Sequence, residues 1–442
     1  MKRHPCLIGS ALVLTACATG PVGPQLHVAD RLVWSEPPSL VATGLSPGAS
    51  YGLVTERRSF WDADATERSR LSYRADASGR LDTSRAVPDG ETSASVYEPI
   101  RAMAYFNDEV LDDLGMGEMR FRLLDAAGNP VLERTVGLGP DPDGLVETTL
   151  GPDFPGAYLL RRRDAGGAQP AIVVLGGSEG GDRGSRATAP ALAAEGYAAL
   201  GLPYYSPAWF GATPQFPELR RAFAELPVDY LERAVAMLRQ QPGVDPDRIL
   251  LWGGSKGAEY ALLAGSLIPD DSAGGGFCAI VADVPTDVVW EGWGPGTTPG
   301  ETSGFSWRGE ALPFVPYEEM GRALDRSDPY TMTQAHEEGR AANPDRVAAA
   351  RIRVEAIDEP VLVIGGGQDT TWASGRMARA IERQRDSAGL ETESYLYPEG
   401  GHGVGGTPLV RTSPANLAAR LESFPASLDF VRRHARRDDC RT

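Results

Sequence analysis

A chain of 442 residues exceeds one ordinary domain and suggests about two or three. With 42% hydrophobic residues it can bury a sizeable core, which excludes a disordered chain. Its 60 Asp and Glu outweigh 43 Lys and Arg, a formal net charge of −17. That balance argues against nucleic acid as a partner, because phosphate backbones need a basic face, and weakly against general adsorption to anionic membrane.

In chain order, Lys2 and Arg3 precede an apolar run through Leu7, Ile8 and Ala11 to Leu14, then small residues and Cys17. This is the pattern of a secretory signal and is too short to span a membrane. Leu14-Thr15-Ala16-Cys17 resembles a bacterial lipobox, in which the Cys carries lipid. Residues 1–17 are therefore read as a lipoprotein-type signal ending at the anchor Cys17. The expected address is the bacterial envelope, with membrane contact only through that lipid. A plain signal peptide containing a cysteine is the alternative. Residues 18–28 read as a tether. From 29 to 145, short alternating segments such as Arg120-Phe121-Arg122-Leu123-Leu124 lie between turn signals such as Asp76-Ala77-Ser78-Gly79. That spacing predicts an antiparallel β-sandwich. Pro140, Pro142, Pro152 and Pro155 mark a domain boundary between Gly137 and Gly156.

From 155 to 438 the texture becomes strand–helix alternation, which predicts a doubly wound α/β sheet with mostly parallel strands. Ala171 to Leu175 is a continuous apolar run, as a central parallel strand requires. The loop Gly176-Gly177-Ser178-Glu179-Gly180-Gly181 follows it. Its glycines lack dinucleotide-loop spacing, so no cofactor is expected, and no cysteine pair has metal-ligand spacing. Ile249 to Trp252 runs into Gly253-Gly254-Ser255-Lys256-Gly257, followed by a helical pattern. This is G-x-S-x-G in the strand–turn–helix context of a nucleophile elbow, and it makes Ser255 the candidate nucleophile. Cys278 lies in a buried-strand pattern and reads as a core thiol; a pairing with Cys440 stays open in an exported chain. Residues 286–350, rich in Gly, Pro and Trp, interrupt the alternation as an expected lid or cap, and Trp290 and Trp307 are candidate pocket residues. Val361 to Ile364 leads through glycines to Asp369, the expected acid, with Asp283 and Asp287 as rivals.

The serine needs a base, and the chain has five His. His4 is in the leader, His27 in the tether, and His434 in a basic tail helix. His336 sits among Gln334, Glu337 and Glu338 in what reads as an exposed helix. His402 alone follows a strand on a Gly-rich loop, Gly400-Gly401-His402-Gly403, and is the expected base. The chain order Ser255, Asp369, His402 is that of α/β-hydrolases. The oxyanion hole is expected from the backbone N–H of Lys256 and one near Ser178.

With these residues in hand, the chain resembles the family of acyl-CoA thioesterases and bile acid-CoA:amino acid N-acyltransferases. The resemblance runs through the loop at 176–181, Leu202-Pro203-Tyr204-Tyr205, Gly254-Ser255-Lys256-Gly257-Ala258-Glu259, Gly366-Gly367-Gln368-Asp369 and Gly401-His402. It adds Gly44-Leu45-Ser46-Pro47-Gly48 and Glu98-Pro99-Ile100 in the N-terminal part. It implies an α/β-hydrolase fold behind an immunoglobulin-like sandwich, and Tyr205 as a further pocket candidate. Ser rather than Cys at 255 implies acyl transfer to water. The expected partner is a small acyl thioester. An exported chain would meet little acyl-CoA, so a carboxylesterase acting on envelope or environmental esters is the first alternative. A non-catalytic binding lipoprotein is the second.

Overall fold

The computed structural model describes residues 23–59, 65–106, 109–208, 213–325, 327–436 and 440. The leader with Cys17, and residues 18–22 of the expected tether, lie outside these.

The N-terminal part is built from β1 (Gln25–His27), β2 (Arg31–Leu32), β3 (Val41–Thr43), β4 (Ser50–Arg58), β5 (Thr66–Arg74), β6 (Leu81–Asp82), the short helix α1 (Glu98–Arg101), β7 (Ala104–Phe106), β8 (Glu118–Leu124) and β9 (Pro130–Leu138). A six-stranded sheet of order β2-β9-β8-β4-β5-β7 faces a three-stranded sheet of order β1-β3-β6. Their shared core takes Leu53, Tyr73, Phe121 and Leu123 from the larger sheet, and Ala42 and Leu81 from the smaller. In β8 every second side chain from Met119 is buried, the period-2 alternation of a strand with one face on a core. Gln25–His27, expected in the tether, instead pair antiparallel with β3, because Leu26 packs on this core between two exposed residues.

The second part continues with β10 (Leu145–Thr149), β11 (Tyr158–Arg162), β12 (Gln169–Leu175), α2 (Arg183–Ala194), β13 (Ala198–Gly201), β14 (Leu226–Pro227), α3 (Val228–Leu238), β15 (Val244–Gly254), α4 (Lys256–Leu267), β16 (Ile280–Asp283), β17 (Phe305–Trp307), β18 (Glu310–Ala311), α5 (Met320–Ala323), α6 (Met332–Ala342), α7 (Pro344–Ala350), β19 (Val361–Gly366), α8 (Ser374–Ser387), β20 (Thr392–Tyr397) and α9 (Pro414–His434). Eight strands form one sheet of order β10-β11-β13-β12-β15-β16-β19-β20, parallel from β13 onward. Side chains alternate between two cores. Val173 and Leu251 face α3, α4 and α8 through Leu231, Ala261 and Ile381. Ile172, Leu250 and Trp252 face α2 and α9 through Leu192 and Leu428. Helices on both faces explain why these strands are apolar throughout. The fold is that of an α/β-hydrolase behind a β-sandwich.

Two expectations need correction. The sheet begins at Leu145, inside the stretch read as a boundary: Pro142 and Pro152 flank β10 rather than occupy it, and as an edge strand it needs only one partner, β11. Cys278 is not a free thiol; it forms a disulfide with Cys440, with Cα atoms 4.6 Å apart, tying the segment after α9 to the start of β16.

The two parts are packed together. Leu409 and Leu417 of the second join the sandwich core, and the Arg57 guanidinium donates to the Leu409 carbonyl at 3.3 Å. Trp34 packs edge-on against Phe424, with ring centroids 5.2 Å apart. A cleft of about 1160 Å³ lies between them, reaching from Arg57 and Met116 of the sandwich to Glu179, Gly180 and Leu409.

The disulfide bridges residues 162 apart in sequence, so it removes much loop-closure entropy from the unfolded chain. Cys440→Ser is expected to lower the unfolding free energy by about 2–4 kcal/mol, read by urea denaturation with and without reductant. A variant as stable as the parent would show that the bridge restrains nothing that unfolding releases.

Candidate active site

The site is built where β15 hands over to α4. Ser255 adopts φ 56° and ψ −119°, a conformation costly for a non-glycine residue. Its neighbours are glycine for a measurable reason. A Cβ on Gly253 would lie 2.1 Å from the Gly257 carbonyl oxygen, and one on Gly257 would lie 2.3 Å from that of Leu175. The Ser255 N–H donates to the Asp283 carbonyl at 2.9 Å, so the adjacent strand β16 holds the turn.

His402 Nε2 lies 2.9 Å from Ser255 Oγ, and His402 Nδ1 lies 2.8 Å from Asp369 Oδ2. A carboxylate only accepts, so Nδ1 donates to it and Nε2 is left to accept from the serine hydroxyl. Asp369 is held on all sides. Its Oδ1 accepts the Thr371 N–H at 2.9 Å and the Trp372 N–H at 3.3 Å, and its Oδ2 accepts the Ser374 hydroxyl at 2.5 Å. The His402 loop is pinned by the Gly401 N–H, which donates to Asn416 Oδ1 at 2.7 Å. Acid and base loops touch through their backbones: a Cβ on Gly366 would meet the Gly401 oxygen at 2.4 Å, and one on Gly367 the Pro398 oxygen at 2.4 Å.

The rival acids are engaged elsewhere. Asp287 pairs with Arg340 at 2.8 Å. Asp283 accepts the Trp252 indole N–H at 3.1 Å, and burial raises its carboxyl to about 6. Ser178 is the exposed residue of the loop after β12, whose Gly177 sits against Ser255: a Cβ there would lie 3.1 Å from the serine Cβ. The Ser178 and Lys256 amides have no acceptor among the described residues. His336, expected on an exposed helix face, is buried among the rings of Trp290, Tyr317 and Trp372. Burial lowers its pKa to about 3, so it is neutral. Gln334, Glu337 and Glu338 occupy the other faces of α6 and misled the sequence reading.

None of the three pocket candidates lines the cleft. Trp290 is fully buried and donates its indole N–H to Thr286 Oγ1 at 2.7 Å. Trp307 lies half-buried under the Arg308 guanidinium, 4.4 Å from its ring centroid. The Tyr205 hydroxyl donates to the Ser178 carbonyl. The segment at 286–350 packs these rings into the body of the domain, and the sandwich forms the other wall of the cleft.

The sequence reading used only the backbone of Lys256, but its side chain is as telling. The ammonium is buried, 2.8 Å from Glu259 Oε2, and sits within 5.2 to 5.5 Å of the ring centroids of Phe223, Trp293 and Trp372. Burial pushes the ammonium down and the Glu259 carboxyl up, and each opposes the shift of the other. Glu259 Oε1 also accepts the Trp290 N–H at 3.0 Å. The signal was present as Lys-x-x-Glu at helical spacing directly after the serine. For metals, Glu391, Glu393 and His434 bring ligand-type atoms within 4.8 Å of one another, but at the opposite end of β20 from the His402 loop.

Residues 316–423 match the family model described as BAAT / Acyl-CoA thioester hydrolase C terminal. The chain is 26% identical to the mitochondrial acyl-coenzyme A thioesterase 2 of Rattus norvegicus over 397 residues, covering 86% of this chain and 78% of that protein. It is 27% identical to acyl-coenzyme A thioesterase 1 of the same organism, covering 86% and 84%. It is 29% identical to the peroxisomal succinyl-coenzyme A thioesterase of Mus musculus over 261 residues, covering 55% and 57%. With an elbow serine, a hydrogen-bonded histidine and carboxylate, and a β-sandwich ahead of the hydrolase sheet, the chain is similar over most of its length to acyl-CoA thioester hydrolases.

Proposed function

We propose that this protein hydrolyses acyl thioesters through Ser255, His402 and Asp369. The observation that carries this reading is the hydrogen-bonded run Ser255–His402–Asp369, at 2.9 and 2.8 Å. His402 Nε2 takes the hydroxyl proton as Ser255 Oγ attacks the acyl carbon. Asp369 keeps the imidazole oriented and stabilises the imidazolium. The oxyanion meets the N–H groups of Lys256 and Ser178. The thiol leaves with a proton from His402, and water, deprotonated by the same nitrogen, releases the acid.

A second reading concerns the leaving group. The signal-like leader and the Cys278–Cys440 disulfide both suit an oxidising compartment outside the cytosol, where coenzyme A is scarce. An exported, lipid-anchored member would then act on oxygen esters with the same residues. The non-catalytic alternative is weakened by the three side chains lying in hydrogen-bonding order.

Purified protein is to be assayed on acyl-CoAs of several chain lengths and on matched p-nitrophenyl esters. A kcat/KM preference for the CoA thioesters supports the first reading, and a preference for simple esters the second. Ser255→Ala is expected to lower kcat by about 10⁴-fold or more on either substrate without unfolding the protein; retained activity would remove Ser255 from the mechanism.

The acid assignment is tested by a pair of variants. Asp369→Asn is expected to lower kcat by about 10⁴-fold, while Asp283→Asn stays within about tenfold of the parent. Asp283 also gives a pH signature. Its folded-state pKa lies above that of the unfolded chain, so the native state keeps a proton that the unfolded chain has lost. Stability should fall as pH rises from about 4 to about 6 and stay lower above that. Asp283→Asn should abolish this decline in denaturation midpoints; an unchanged pH profile would assign the decline to another group.

A further inference from the structure

The loop between β12 and α2 is pinned peptide by peptide. The Tyr204 hydroxyl donates to the Gly176 carbonyl at 2.7 Å, and the Tyr205 hydroxyl donates to the Ser178 carbonyl. The Gly177 N–H donates to Glu179 Oε1 at 2.8 Å. The Glu179 carboxylate reaches that amide through a slot that only glycine leaves open. A Cβ on Gly184 would lie 1.9 Å from Oε1, one on Gly176 2.7 Å from Oε1, and one on Gly177 2.9 Å from Oε2. The same Gly177 position is 3.1 Å from the Cβ of Ser255, so the carboxylate and the nucleophile flank one glycine. Burial raises the Glu179 carboxyl, which lessens its charge beside a developing oxyanion.

A loop of this composition has wide backbone freedom, and an oxyanion donor works only if its N–H is aimed before the reaction. We propose that Glu179 is a positioning residue for acyl transfer at Ser255. By taking the Gly177 N–H, it turns the loop so that the Ser178 N–H, together with that of Lys256, is left to receive the oxyanion. Tyr204 and Glu179 hold the carbonyl and amide sides of the Gly176–Gly177 peptide, and Tyr205 holds the carbonyl of Ser178. This inference rests on the acyl-hydrolase reading above.

The test compares Glu179→Gln, Glu179→Ala and Glu179→Asp, with Ser255→Ala as control. Each is assayed on p-nitrophenyl butyrate and titrated with an alkyl trifluoromethyl ketone, which forms a tetrahedral adduct with the serine. The Gln amide oxygen accepts the same N–H, so Glu179→Gln should keep kcat within about threefold. Ala lacks the acceptor and Asp withdraws it by one methylene; both should lose about 10²-fold in kcat with KM little changed, and bind the ketone more weakly by the same factor. Wild-type kcat in Glu179→Ala, an equal loss in Glu179→Gln, or a loss confined to KM would overturn the proposal. If the Ala variant does not fold, Gln against Asp decides alone. A parent inactive on p-nitrophenyl butyrate and on acyl-CoA alike, or an active Ser255→Ala, would instead overturn the acyl-hydrolase reading.

Discussion

The rest of the structure depends on one steric constraint, the turn that places Ser255 at φ 56° between β15 and α4. That conformation costs of order 1–3 kcal/mol and persists only when its surroundings over-determine it. Here they do. Gly253 lies against the Gly257 carbonyl, Gly257 lies against the Leu175 carbonyl at the end of β12, and the Ser255 N–H is held by β16. β15, the loop after β12 and α4 therefore cannot move independently. A methyl group at either glycine would push apart elements whose separation sets the site.

The same closeness recurs around the other reacting groups. The acid loop and the base loop meet backbone to backbone across Gly366 and Gly367, so Asp369 and His402 share one rigid rim at the carboxyl ends of β19 and β20. Behind the serine, the Lys256–Glu259 pair reaches in three directions: to Phe223, to Trp290 and Trp293 of the inserted segment, and to Trp372. Trp372 in turn packs edge-on against the His402 ring, with centroids 5.3 Å apart. A buried ion pair contributes little net stability against an apolar substitute, but breaking it leaves one charge uncompensated. Its geometric effect is to couple the inserted segment to the rim that carries Asp369 and His402.

The sandwich has a direct place in this arrangement. The tryptophans of residues 286–350 fill space behind the site, and the cleft opens on the other side, toward the sandwich. Leu409 and Leu417, a short way along the chain from His402, sit in the sandwich core. The N-terminal domain is thus fastened to the segment that follows His402, and it forms one wall of the cleft.

Much of this was legible in the residues. Strand–turn–helix around Gly253 to Gly257, glycine turns before Asp369 and His402, and the change from alternating to continuous apolar runs follow from local sterics and periodicity, which short segments carry by themselves. What the sequence could not give is what depends on partners distant in the chain. Leu145–Thr149 is a strand only because β11 lies beside it, Cys278 meets Cys440 only after 162 residues have folded back, and the Glu179 carboxylate finds Gly177 only because Gly184 leaves it room. His336 was misjudged for the same reason: periodicity tells which face of an element is polar, but burial is decided by what packs on it. The sequence by itself determined the fold class and singled out Ser255 and His402; the tertiary structure alone decided which acid faces the histidine, where the cleft opens and what holds the loop after β12, because these are set by contacts between elements that no local pattern encodes.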